Sequence, residues 1–244
     1  MDNINDSHSL IIDYPIDYNL FPQANNTKIY KVELNKNEYI IIPKFWFHWV
    51  YTDPKTISIS YEIPTVDFIS HQNNHFNDSI NSSSPYKGIH NIADIKYDDF
   101  INSSLNENYK AIISETSDCS PVIKNRSSKY YYNNTLSNII SRNNNNYVYI
   151  GHNSIHQTNM LYSFSDIKTI INRKYYNHIY YKSTVWFTLD KIINSGLHLD
   201  STNNIIYVLD GKKTIYLIHP NSVNNLYIRN MQAIPTIPTI PTID

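Results

Sequence analysis

Residues 194–220 read NSGLHLDSTNNIIYVLDGKKTIYLIHP. Two strand-forming runs, Asn203–Leu209 and Lys212–Ile218, flank the dipeptide Asp210-Gly211. Asp-Gly between such runs predicts a two-residue type I′ hairpin. On the second run Lys213 shares a face with Ile215 and Leu217, while Thr214 and Tyr216 point the other way. An ammonium on an apolar face is costly unless it snorkels to water or meets an anion. Upstream, His198 and Asp200 stand two apart on an extended stretch, so both side chains leave one face and can grip one ion. With ten histidines and 21 acidic residues in 244, about one His-x-Asp/Glu pair is expected by chance. The pair gains weight only from its surroundings.

A second stretch, PKFWFHWV from Pro43 to Val50, buries one histidine among four aromatics. Two readings of His48 are open. A core histidine would hydrogen-bond a carbonyl. A ligand would complete a facial triad with His198 and Asp200, the two-histidine, one-carboxylate set that suits non-haem Fe(II) and leaves positions free. Two other histidine pairs, His71/His75 and His152/His156, have i,i+4 spacing, which makes a ligand pair only on a helix. The first falls in a linker and the second after a strand, so neither is favoured.

Composition limits what surrounds these stretches. The 244 residues fit one domain, with 41% hydrophobic residues and 22 tyrosines for its core. A net charge of −1 lacks the basic footprint of a general nucleic-acid binder. One cysteine, Cys119, excludes an intramolecular disulfide and a cysteine-rich zinc site. Four glycines cannot build a phosphate-binding loop. The polar start MDNINDSHS and the lack of any apolar run near 20 residues imply an intracellular, soluble protein, cytoplasmic or nuclear.

Along the chain, KIYKVEL (28–34) and EYIII (38–42) read as strands around Asn35-Lys36-Asn37, and FWFHWVY (45–51) as a third. Residues 57–63 alternate Ile57, Ile59, Tyr61 and Ile63 with Ser58, Ser60 and Glu62, a half-buried strand. Residues 65–86 are Asn/Ser-rich and read as a linker. DIKYDDFINSS has helical spacing, KAIIS (110–114) is a short buried strand, and TLSNIISR (135–142) is a short helix capped by Thr135 or Asn134. YVYIG (147–151) is a strand, and SFSDIKTIINR (163–173) a helix. The tail repeats Ile-Pro-Thr, which suits an extended arm and cannot pair in a sheet.

The first stretch resembles the metal-binding half of the JmjC/cupin-like 2-oxoglutarate oxygenases, where His-x-Asp precedes a Gly-x-Lys hairpin and a strand ending in Pro. VELNKNEYIIIPKFWFHWV resembles the other half, with its turn, buried strand, Ile-Pro and aromatic-aromatic-His. TISISYEI resembles the strand that follows. IDYNLFP resembles the stretch preceding that half in the asparaginyl-hydroxylase-like branch. IADIKYDDFINSS, KAIIS and TLSNIIS…YVYIG resemble the family's N-terminal elements. The family's turn glycine is Asn37 here, a residue that tolerates a left-handed backbone. An asparagine on the strand after the distal histidine is replaced by Glu62 or Ser60.

The resemblance implies a mainly β protein with flanking helices: a double-stranded β-helix, or jelly-roll, cupin-like barrel. Family members place the His-x-Asp half first, so the resemblance also implies a circular permutant. Its single domain, 1–244, would comprise 9–64 (family C-terminal half), the 65–86 linker, 87–230 (family N-terminal half) and the 231–244 tail, with new ends near Leu10 and Tyr227. Fe(II) would sit on His198, Asp200 and His48. Lys213 would pair the far carboxylate of the cosubstrate 2-oxoglutarate, helped by Ser195, Tyr149 and Asn204. The implied reaction is hydroxylation of a protein or peptide side chain; the modest charge gives no strong nucleic-acid signal, and the hydropathy no membrane. Alternatives are a non-catalytic module that keeps the fold, a methyl-lysine demethylase, and a swapped homodimer in which His48 completes a neighbour's site.

Overall fold

The computed structural model describes residues 8–63, 84–89, 94–117, 119, 129–143, 145–154 and 182–228. Most of the linker, the helix expected over 163–173, the Ile-Pro-Thr tail, the His71/His75 pair and His156 lie outside them.

Two antiparallel sheets carry the fold. The smaller is ordered β1 (Ile29–Asn35), β13 (Lys212–Ile218), β3 (Phe47–Thr52) and β10 (Ile193–Asn194), with the short β11 (His198–Leu199) also on β3. The larger runs β5 (Tyr86–Ile89), β2 (Glu38–Ile42), β12 (Asn203–Asp210), β4 (Ile57–Ile63), β9 (Lys182–Thr188), β8 (Tyr147–Ser154), β6 (Asn108–Ser114) and β7 (Lys129–Thr135). From β1 to β4 the chain changes sheet at every step, and it does so again from β12 to β13. That alternation makes the double-stranded β-helix of a jelly-roll, as the sequence resemblance implied.

The Asp-Gly hairpin is corrected by this topology. β12 pairs with β2 and β4, whereas β13 pairs with β1 and β3. Gly211 turns a corner between sheets. Its φ of +85° needs glycine, and an added Cβ would lie 2.4 Å from Thr56 Oγ1 and 2.7 Å from Thr56 Cα. Thr56 clasps the corner: its hydroxyl accepts from the Lys212 N–H at 3.1 Å and donates to the Lys212 carbonyl at 3.2 Å. Asp-Gly marks a left-handed backbone in both cases; partners far along the chain decide which form it takes. Asn37 is left-handed as expected, with φ +67°.

Three apolar layers result. Leu34, Ile40, Ile42, Val50, Ile206 and Ile215 fill the space between the sheets. Helices α1 (Tyr97–Ser104) and α2 (Leu136–Ser141) cover the outer face of the larger sheet, setting Phe100 and Ile139 against Ile59, Tyr61 and Tyr207. Ile11, Ile16 and Ala24, from the N-terminal segment, cover the outer face of the smaller sheet at Phe47, Trp49 and Ile218. The half-buried reading of β4 changes accordingly. Its isoleucines face the helices, and Ser58 and Ser60 are buried too because they face the barrel interior.

The two ends of the described chain are neighbours. Leu10 N–H donates to the Tyr227 carbonyl at 3.0 Å, and Ser9 bridges to Ile228. Among the described residues no helix is long and apolar enough to cross a membrane.

Candidate metal centre

β3 and β11 pair so that His48 stands directly opposite His198. Asp200, one residue past β11, closes the group: His48 Nε2 lies 3.6 Å from Asp200 Oδ2, and the three ligand atoms lie within 4.8 Å of one another.

Local backbone geometry aims each ring. His48 Nδ1 lies 3.0 Å from the Trp46 carbonyl, and His198 Nδ1 lies 2.9 Å from the Gly196 carbonyl. A carbonyl only accepts, so each Nδ1 carries the proton and each Nε2 lone pair is left for the interior. Asn204 Nδ2 donates to Asp200 Oδ2 at 3.0 Å. The turn at Pro43–Trp46 ties the two ligand-bearing stretches together. Phe45 N–H donates to the Asp200 carbonyl at 2.8 Å, and Lys44 N–H to Asn203 Oδ1 at 3.0 Å. Phe45 adopts φ +69°, strained for a bulky side chain. The strand expected from Phe45 therefore begins only at Phe47.

The electrostatics suit a cation. Burial, followed by the neighbouring His198, lowers His48 to about 4, keeping its imidazole neutral. Burial works to raise the Asp200 carboxyl, yet His48, His198 and the Asn204 amide hold it below its ordinary value. The neutral His48 imidazole, the His198 ring and the Asp200 carboxylate form a two-histidine, one-carboxylate donor set that fits a divalent ion of the Fe(II) class. His48 is 1% exposed and the Asp200 side chain 31%, so the group opens on the Asp200 side.

The barrel interior holds a second polar feature. Lys213 is 2% exposed, so it does not snorkel. Its Nζ lies 3.4 Å from Tyr149 Oη and 5.8 Å from that ring's centroid. No carboxylate among the described residues pairs with it, and burial pushes its ammonium down to about 7. Burial also pushes the Tyr149 phenol up. Lys213 pairs with Thr52 and Leu217 with His48 in register, so Lys213 and the triad face one interior four residues apart, roughly 13 Å along the strands.

The expected cosubstrate helpers separate. Tyr149 is at Lys213, while Asn204 is on the Asp200 carboxylate. Ser195 accepts from Val50 N–H at 3.0 Å and donates to the Gly196 carbonyl at 3.2 Å, fixing the backbone that leads to His198. Two neighbours went unread in the sequence. Asn194, fully buried, accepts from Gly196 N–H at 2.8 Å and donates to the Ile12 carbonyl at 2.8 Å. His8 forms a bridge with His198 and stacks on its ring. Neither lies in a periodic run, so no local pattern points to it.

Comparisons with known proteins agree with this architecture. A 45-residue stretch, 18% of the chain, is 47% identical to the JmjC domain-containing protein C of Dictyostelium discoideum. The match spans only 11% of that relative's length. No solved structure matches the chain. The model of the cupin-like domain matches residues 73–244, which contain His198, Asp200 and Lys213 but not His48. With more than half its length matched and the barrel formed, this chain belongs to the cupin-like domain family.

Proposed function

We propose that the protein is an Fe(II)- and 2-oxoglutarate-dependent oxygenase that hydroxylates a protein side chain. One observation carries this reading: a His-His-Asp group and a buried lysine, paired with no carboxylate among the described residues, face the same barrel interior. His48, His198 and Asp200 would hold the iron. Lys213 and Tyr149 would hold the distal carboxylate of 2-oxoglutarate, a short dicarboxylate whose ends suit a cation at either side. Asn204 keeps Asp200 oriented, and the wall beneath His48 keeps water out. Iron bound with 2-oxoglutarate supplies the oxidising chemistry, one atom of dioxygen passing to succinate, released with CO₂, and the other to the substrate carbon.

The JmjC relative supports the same reading, and the asparaginyl-hydroxylase-like branch is its finer form, resting on IDYNLFP and the aromatic-His strand. A demethylase would share these groups and differ only in substrate. Succinate formation from 2-oxoglutarate, with Fe(II) and oxygen in the absence of substrate, is the test. Absence of both succinate and 2-oxoglutarate binding would leave a non-catalytic module.

The circular order belongs to the same proposal: one domain, 1–244, built from 9–64, a 65–86 linker, 87–230 and the 231–244 tail. The contact of Leu10 with Tyr227 supports it, since these are the ends a permutation would have opened. A chain with Ile228 joined through a short flexible linker to His8 and opened within 65–86 should fold and bind metal. Failure to fold would count against this order.

A further inference from the structure

The N-terminal segment does more than cover the smaller sheet. Ser9 N–H donates to the Leu197 carbonyl at 2.9 Å, and Ser9 Oγ hydrogen-bonds the Leu226 carbonyl while accepting from Ile11 N–H at 2.9 Å. Asn194 holds the Ile12 carbonyl from below. These bonds bring His8, 6% exposed, beside His198 in an antiparallel bridge. The two rings stack with centroids 5.2 Å apart and planes within 13°. His48 meets His198 at 4.2 Å with a 55° tilt.

This geometry argues against His8 as a fourth ligand. Ring-nitrogen lone pairs lie in the ring plane, so those of near-parallel rings run alongside one another and do not converge. Accordingly His8 is outside the group of ligand atoms lying within 4.8 Å. A different task is open. The Nδ1 contact to Gly196 fixes where His198 points, but one hydrogen bond leaves the ring free to rock about that axis. A flat face packed against it removes that freedom.

We propose that His8 is a positioning residue: its ring, carried by the bridged N-terminal segment, sets the plane of His198 and so directs His198 Nε2 into the metal centre. The inference rests on the proposed metal reading. It makes metal affinity depend on a residue far outside the His-x-Asp half. It also makes the flat shape of residue 8 matter, and not its nitrogens.

Co(II) titration of the full-length protein, followed by visible absorption, tests this in wild type, His8→Ala, His8→Leu and His8→Phe. Affinity for Co(II) is expected to fall about tenfold in His8→Ala and His8→Leu, the scale of losses at residues that orient metal ligands. His8→Phe, which keeps a flat ring, should stay within about twofold of wild type. Wild-type affinity in His8→Leu overturns the proposal, and so does a His8→Phe as weak as His8→Leu, which would assign the role to a nitrogen. If His8→Ala fails to fold, the Leu and Phe pair still decides. A wild-type protein that binds no Co(II) sinks the metal centre itself, which separates that failure from failure of the His8 role.

Discussion

The two polar places inside the barrel are built on opposite plans. At the triad, one carboxylate is matched by two imidazoles, an Asn204 amide and backbone bonds that orient both rings. At Lys213, a cation is buried with a phenol for company and no carboxylate among the described residues. Under the proposed function the first would take a divalent cation and the second an anion, and burial lowers the hold of Lys213 on its proton. A buried charge without its counterpart destabilises a fold, so under the proposed function Lys213 would be stability given up for cosubstrate binding.

Asp200→Ala should produce the largest effect, since it removes the centre's single anion. Metal affinity is expected to drop by at least about 100-fold, beyond the losses typical of groups that merely orient ligands. Calorimetric titration with Fe(II) under anaerobic conditions reads it, and a loss below tenfold would move the centre elsewhere. Lys213→Ala comes next. One charge-assisted bond is worth about 1.5–3 kcal/mol, so 2-oxoglutarate should bind at least about tenfold more weakly while metal binding stays unchanged. Lys212→Ala is the control: its side chain faces outward to Glu33, and it should change little.

A smaller, graded effect is expected from pH. The free protein holds the Lys213 proton only below about 7, so 2-oxoglutarate affinity should weaken as pH rises above that value, by up to about tenfold per unit. Fold stability should run the other way. Between about 7 and 10.5 the unfolded chain binds a proton that the folded one has shed, so the ligand-free protein should grow more stable as pH rises through that window. Lys213→Met should flatten both profiles. Denaturant midpoints at matched pH values supply the comparison.

Much of the site could be read before the fold was seen, and for local reasons. His198-x-Asp200 and the inward face of Lys213 follow from strand alternation, and the aromatic wall marked His48 as buried. What escaped depended on distant partners. Asp210-Gly211 specifies a left-handed residue but not whether the flanking strands pair, and here Thr56 and two different sheets made it a corner. The serines of β4 looked solvent-facing because alternation reveals two faces, not what lies beyond each. β10 and β11 are two residues long, too short to carry any period. Ser195 bears the hydroxyl expected of a helper, but Val50 takes it up.

The pairing of β3 with β10 and β11 has a kinetic consequence. Val50 and Ser195, bonded across this junction, are 145 residues apart in the chain. Contacts of such separation cost loop-closure entropy before they return any stability, so this junction is expected to close late in folding. A metal held there would not help the chain find its fold; it would hold the finished barrel shut. Stopped-flow refolding is therefore expected to proceed at the same rate with and without Co(II), while unfolding slows as Co(II) rises. Metal-accelerated refolding would instead mean that the ligand strands meet early, as a nucleus.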